Sequence, residues 1–185
     1  SLILGMGGYS SFPICIAAAV LRIKFIIYEN NLILGKANKY LLPFAKKMIV
    51  SYKELEGVPD KYKYKILETG NIIREEILNL NFTKNPFEDL KNLKILVLGG
   101  SQGAKIFAEK LPSIFDKLKN SGIQFKIFQQ CQKSQIDKLS NLFKKINLDY
   151  ELFNFTDKII DYYIKSNIAI TRSGASVLGE LINLK

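Results

Sequence analysis

A doubly wound α/β fold with parallel sheets follows from three features of the sequence. Short apolar runs of strand length recur along the chain, and stretches of helical period separate most of them. Two glycine-rich turns, Leu4-Gly5-Met6-Gly7-Gly8-Tyr9-Ser10 and Leu98-Gly99-Gly100-Ser101-Gln102-Gly103-Ala104, each follow an apolar run and precede a helical pattern. Alternation of this kind buries both faces of a sheet under helices.

The apolar runs predict strands at 2–4, 25–28, 48–51, 66–68, 95–98, 125–129, 150–153 and 168–171. The patterns between them predict helices at 11–21, 37–44, 73–80, 104–119, 134–146, 158–165 and 175–184. The polar stretch Asn81-Phe82-Thr83-Lys84-Asn85-Pro86-Phe87-Glu88-Asp89 breaks the alternation. A linker is therefore expected at 81–92, between a domain at 1–80 and a second at 93–185. Both halves carry a strand, a Gly turn and a helix, as in a pair of Rossmann-like domains whose ligands sit beyond the carboxyl ends of the strands.

With 185 residues and 48% hydrophobic content, the chain has enough apolar material for a sizeable core. It starts at Ser1 without a Met and stops just after a helical pattern, so a piece of a longer protein is expected. The apolar stretch 14–27 is interrupted by Arg22 and Lys24, too short and too charged to span a bilayer, and no signal peptide is visible. The net charge of +10 divides into +4 over residues 1–92 and +6 over 93–185. A diffuse lysine surface favours anionic partners without choosing among them, and no aromatic-basic stripe points to nucleic acid. Cys15 and Cys131 lack metal-binding or redox spacing and read as reduced packing residues. The chain has no histidine, which rules out a Ser-His-Asp hydrolase or a His-ligated metal among these residues, and it has no Asp-x-Asp clamp. No metal and no cofactor are expected.

Five clusters carry candidate chemistry. Residues without a Cβ let backbone N–H groups and the positive end of a helix approach an anion, so the Gly99–Ala104 segment suits a diphosphate, although it is neither a P-loop nor a Gly-x-Gly-x-x-Gly turn. The Gly5–Gly8 turn has the same logic, with Ser10 or Ser11 available to cap the helix. Tyr28-Glu29-Asn30-Asn31 ends a strand with a carboxylate and two amides, suited either to a hydroxyl-rich ligand or to capping the helix that holds Asn38 and Lys39. Arg74, in Gly70-Asn71-Ile72-Ile73-Arg74, is one of three arginines; it is a phosphate fork or a solvated helix-start residue. Thr171-Arg172-Ser173-Gly174-Ala175-Ser176 opens a helix with Glu180 about two turns in; Ser173 is a simple N-cap, or the helix faces a nucleotide with Glu180 taking ribose hydroxyls.

Taken in order, these five clusters closely resemble the MurG family, the UDP-N-acetylglucosamine transferases of peptidoglycan synthesis. The resemblance runs from Leu4 to the end of the chain. It implies a GT-B fold of two Rossmann-like domains, both incomplete in this chain, with 1–80 for the lipid I acceptor, 93–185 for the UDP-sugar and the active site in the cleft between them. By this resemblance Asn31 touches the donor sugar, Arg74 and Ser101 hold the diphosphate, and Thr156 lies near uracil. Ala175, Ser176, Val177, Leu178, Gly179 and Glu180 line sugar, phosphate and ribose, with Gly100, Gln102, Gly103, Arg172 and Gly174 nearby. Gly5, Gly7, Gly8, Tyr9 and Ser10 face the acceptor pyrophosphate.

The implied reaction is inverting transfer of N-acetylglucosamine from UDP-N-acetylglucosamine to the 4-hydroxyl of lipid I, making lipid II. It would take place at the cytoplasmic face of the bacterial inner membrane, on an anionic surface met by apolar residues around 17–23 with Arg22, Lys24, Lys46 and Lys47. Glu29 is the one candidate base in the chain; the family's candidate histidine, on a further Gly-rich turn, is expected outside it, so little or no activity is expected of these residues alone.

Overall fold

The computed structural model describes residues 1–80, 92–172 and 174–184, with backbone only at 101–104. The chain forms two compact units, Ser1–Ile73 and Arg74–Lys185. The division falls ahead of Arg74, so the short helix that Arg74 caps belongs with the second unit. The expected linker, apart from Asn92, lies outside the described residues.

The first unit is a parallel sheet in the order β1 (Ile3–Gly5), β2 (Phe25–Glu29), β3 (Lys47–Val50), β4 (Ile66–Glu68). α1 (Gly8–Val20) and α2 (Lys36–Leu41) connect the first three strands. Phe25 and Ile27 of β2 and Met48 and Val50 of β3 point to one face, where they pack on Cys15 and Ala18 of α1 and on Leu41 and Leu42 at the end of α2. The pleat that places Phe25 and Ile27 on this face also sends Glu29 there. α2 stops at Leu41 rather than at 44 because Pro43 cannot continue a helix.

A 3-10 segment, Asp60–Lys65, precedes β4 and had no signal in the apolar pattern. Its Lys65 is buried, and its ammonium donates to the carbonyls of Leu42, Pro43 and Ala45 at 3.1, 2.8 and 2.7 Å, closing the orphaned end of α2. Burial lowers the pKa of this amine from its ordinary value.

The second unit is a parallel sheet in the order β7 (Asp149–Phe153), β6 (Phe125–Gln130), β5 (Leu93–Leu98), β8 (Ile168–Thr171). α3 (Glu75–Leu78) precedes it, and α4 (Gly100–Asn120), α5 (Ile136–Lys145), α6 (Ile159–Lys165) and α7 (Ala175–Ile182) follow successive strands. Ile95, Val97, Phe125 and Ile127 pack against Leu111 and Phe115 of α4 and Leu139 and Phe143 of α5. On the opposite face α6 lays Tyr162 against Phe128 and Phe153, with ring centroids at 5.3 and 4.5 Å. Covered on both faces, β5 reads as a near-continuous apolar run, and β6 keeps Phe125, Ile127 and Phe128, which is why the sequence located them.

After β5 the chain adds β6 and β7 on one side, then crosses to place β8 on the other. The strand order therefore reverses at the carboxyl ends of β5 and β8, where open α/β sheets leave a crevice.

Two local expectations change. α4 begins at Gly100, not at 104, so the Gly-Ser-Gln-Gly segment is the first turn of the helix rather than a loop before it. α1 has no side-chain cap: Ser11 Oγ donates backwards to the Gly7 carbonyl at 2.8 Å, and Ser10 is exposed. With Gly7 at φ 77° the turn lies outside the extended conformation from which a serine caps.

Candidate functional site

The crevice of the second unit holds a cavity of about 730 Å³. Every element that ends at this edge of the sheet contributes: Gly99 and Gly100 after β5, Gln130 at the end of β6, Phe155 and Thr156 after β7, Arg172 and Gly174 after β8. α4, 21 residues long, points its N-terminus into the same edge, where free N–H groups and the helix dipole attract negative charge. Gly100 adopts φ 59°, and no atom lies within 4 Å of where a Cβ would stand, so the turn leaves open space. Its N–H donates to Gln130 Oε1 at 3.1 Å, and Gln130 Nε2 donates to the Asn154 carbonyl at 3.3 Å, which ties the turn to the ends of β6 and β7.

One wall carries a buried charged group. Glu180, 8% exposed, accepts from Tyr163 Oη at 2.8 Å and pairs with Arg74, whose Nη1 is 3.1 Å from Oε1 and 3.2 Å from Oε2. All three residues line the cavity. The Arg74 side chain remains half exposed, so its remaining donors are available to a ligand. Burial first, then the hydrogen bond to Glu180 and its charge, raise the Tyr163 pKa well above the usual phenol value, while Arg74 opposes this. The phenol therefore stays a donor at physiological pH.

Most expected donor residues meet here, but not all. Ser176, Val177 and Glu180 line the cavity, whereas Ala175, Leu178 and Gly179 of the same run do not, because a helix turns adjacent residues to different faces. Thr156 lines the cavity and its Oγ1 accepts from the Lys158 N–H at 3.0 Å. Ser101, Gln102 and Gly103 occupy the first turn of α4, their side chains outside the described atoms, and Ser173 lies outside the described residues. The sequence reading missed Gln130, Phe155 and Tyr163. Phe155 is 82% exposed on the cavity wall, and like Gln130 it sits at a strand end, the one signal that pointed to it.

In the first unit the Gly turn is packed at Gly5 and Gly7 and open at Gly8, where no atom lies within 4 Å of a Cβ position. A Cβ on Gly5 would stand 2.6 Å from Cys15 Sγ. Gly7 and Gly8 hold φ of 77° and 71°, and a Cβ on Gly7 would meet Asn38 Nδ2 and the Tyr28 carbonyl at 3.4 Å. Tyr9 is exposed. Glu29, the candidate base, is 3% exposed and takes four hydrogen bonds: Oε1 from Asn31 Nδ2 at 2.7 Å and Asn31 N at 3.2 Å, Oε2 from Gly35 N at 2.9 Å and Asn38 Nδ2 at 3.0 Å. A carboxylate so fully used positions the 29–38 loop and the start of α2 instead of abstracting protons. Asn31 is held by it. Among the described residues no cluster of three or more acidic, cysteine or histidine side chains could hold a metal.

The comparisons with known proteins agree with this architecture. The glycosyltransferase family 28 N-terminal domain matches residues 1–50 and the glycosyltransferase family 28 C-terminal domain matches residues 94–185. The chain belongs to glycosyltransferase family 28. Its relatives include UDP-N-acetylglucosamine--N-acetylmuramyl-(pentapeptide) pyrophosphoryl-undecaprenol N-acetylglucosamine transferases: that of Rickettsia felis is 37% identical over 98% of this chain and 52% of its own length, and that of Rickettsia canadensis 40% identical over 98% and 51%. The crystal structure of Acinetobacter baumannii MurG superposes with a TM-score of 0.68 at 26% identity, covering 99% of this chain and 50% of that one. The resemblance to MurG and the GT-B fold class that the ordered motifs implied are thus met. This chain spans about half the length of the curated relatives it matches.

Proposed function

We propose that the cavity of the second unit binds UDP-N-acetylglucosamine and that the chain provides the donor half of an inverting transfer of N-acetylglucosamine to the 4-hydroxyl of lipid I. In this reaction the acceptor oxygen bonds to the anomeric carbon, the bond from that carbon to the β-phosphate oxygen breaks, UDP leaves, and the hydroxyl proton passes to a base. The observation that carries the reading is the convergence of the α4 N-terminus, Arg74 and Glu180 on one cavity at the strand-order reversal. The names of the family 28 relatives supply the sugar and the acceptor.

Each group has a role matched to its chemistry. The first turn of α4, with Ser101, Gln102 and Gly103, and the free donors of Arg74 take the diphosphate and stabilise the charge that grows on the leaving group. Thr156 and Phe155 receive the base, and Glu180 takes the ribose hydroxyls. No protein-held metal and no cofactor enters this scheme. Glu29 is unsuited as the base because four donors already hold its carboxylate. Asn31 reaches the donor sugar, and the Gly5–Gly8 turn takes the acceptor pyrophosphate.

Among the described residues no helix is long and apolar enough to cross a membrane. Val20 and Leu21 of the first unit are nonetheless exposed, at 76% and 69%, next to Arg22 and Lys24. This supports peripheral seating on an anionic bilayer, the inner membrane at its cytoplasmic face. Incubation with labelled UDP-N-acetylglucosamine and lipid I tests the reaction. Labelled lipid II from a preparation containing this chain supports it, whereas free epimerised sugar without lipid II would assign the fold to a UDP-sugar epimerase instead.

A further inference from the structure

We infer that Tyr163 is a positioning residue for ribose recognition: its hydroxyl holds Glu180 in the orientation from which the carboxylate accepts the ribose diol. The inference rests on the donor-site reading above and adds a residue to it.

The geometry explains why such a residue is needed. Glu180 stands on the second turn of α7 with one salt partner, Arg74, whose side chain is half exposed. When a diphosphate arrives, Arg74 has two anions to serve, and its hold on Glu180 weakens as its donors turn to phosphate. A glutamate anchored by that arginine alone would lose its orientation at the moment the ribose binds.

Tyr163 provides an anchor shielded from the phosphate, because its single O–H is already given to Glu180 at a buried position. It is 5% exposed and comes from α6, a different element, 17 residues earlier in the chain. The neighbouring Tyr162 fixes the rotation of that helix by stacking on Phe153, with rings 10° from parallel, and by donating to Glu151 Oε1 at 2.5 Å. Successive helical residues point about 100° apart, so pinning Tyr162 to β6 and β7 directs Tyr163 towards α7. The phenol and Arg74 Nη1 both donate to Oε2, and Oε1, which Arg74 Nη1 also approaches at 3.1 Å, keeps a second lone pair for the ribose hydroxyls.

The test separates positioning from packing by asking about the ligand's own hydroxyl. The chain is titrated with UDP and with 2′-deoxy-UDP by calorimetry, as wild type, Tyr163→Phe, Glu180→Gln and the double variant. Wild type should favour UDP by about tenfold, the value of a hydrogen bond to a charged group. Tyr163→Phe should bring that preference below about threefold with the affinity for 2′-deoxy-UDP nearly unchanged. Glu180→Gln should do the same, and the double variant should lose nothing more, since both changes remove one contact.

A Tyr163→Phe variant that weakens both ligands equally, or keeps the wild-type preference, overturns the inference and leaves the donor site standing. A double variant that loses further preference also overturns it. Wild-type chain that binds neither ligand overturns the donor-site reading and this inference with it. If Tyr163→Phe alone melts too low to titrate, the Glu180→Gln preference decides: an unchanged tenfold ratio there removes Glu180 from the ribose, and Tyr163 with it.

Discussion

Glu29 and Glu180 are both buried carboxylates beside a glycine turn, 3% and 8% exposed, and they do opposite things. Glu29 is surrounded by its own loop: backbone and amide donors from Asn31, Gly35 and Asn38 occupy both oxygens, and the neighbouring Gly5 has no room even for a methyl group. Glu180 faces a cavity, is held by two side chains from other elements, and has Gly100 and Gly174 nearby with empty space where a Cβ would be. At Gly5 the first turn is filled by the Cys15 side chain, whereas at Gly100 and Gly174 the second is open to the cavity. The two turns look alike in sequence because both begin where a parallel strand ends; the difference lies in what packs over them.

Mutations at the two carboxylates should break the likeness most sharply. Glu29→Gln sets an amide NH₂ against donors that had carboxylate partners, so it should destabilise the first unit by about 3 kcal/mol or more in urea unfolding. Gly5→Ala should cost about 1–3 kcal/mol through the contact with Cys15. Combining it with Cys15→Ala, which vacates the sulfur's place, should recover part of that loss; strictly additive costs would show that Cys15 is not the obstacle.

Glu180→Gln should be milder, about 1 kcal/mol, because Arg74 stays solvated and the amide oxygen still accepts from Tyr163. Its main effect should be on UDP affinity. Gly174→Ala should cost no more than about 1 kcal/mol, the N-cap preference for Gly over Ala, since the site is open and the backbone is extended. A large loss there would deny the contrast between the two turns.

A last effect is electrostatic and shows only at alkaline pH. Burial, with the Glu151 hydrogen bond and charge behind it, raises the Tyr162 pKa to about 12 from the ordinary 10.0. The folded state keeps this proton where the unfolded chain releases it, so the stability it contributes is present below about pH 10 and is lost as pH rises towards 12. Tyr162→Phe should flatten the alkaline slope of stability; an unchanged slope would contradict the environment described for α6.

The eight strands of the described residues could all be located from the sequence: β2 and β5 as buried apolar runs, and the more exposed β1, β4, β7 and β8 as short apolar stretches between helical patterns. Helix starts were harder. The first turn of α4 is Gly-Ser-Gln-Gly, whose poor propensity hides a helix that packing on β5 and β6 imposes. The buried Lys65 gave no signal, since nothing local distinguishes a lysine that closes three carbonyls from one in water. In the site, residues at strand ends were within reach of sequence reasoning, Arg74 and Glu180 were candidates from their place in the sequence, and Thr156 came from the family resemblance alone. Tyr163 was not, because its role depends on the rotation of α6, which Phe128, Phe153 and Tyr162 fix only in three dimensions.

The proposal that UDP binds at the turn of the second unit and not at that of the first is tested most directly by amide hydrogen exchange of the 185-residue chain with and without UDP. The account predicts protection at the Gly99–Gly100 turn, at Phe155–Thr156 and along α7, with the Gly5–Gly8 turn unchanged. Protection centred on Gly5–Gly8, or none anywhere at saturating UDP, would contradict it.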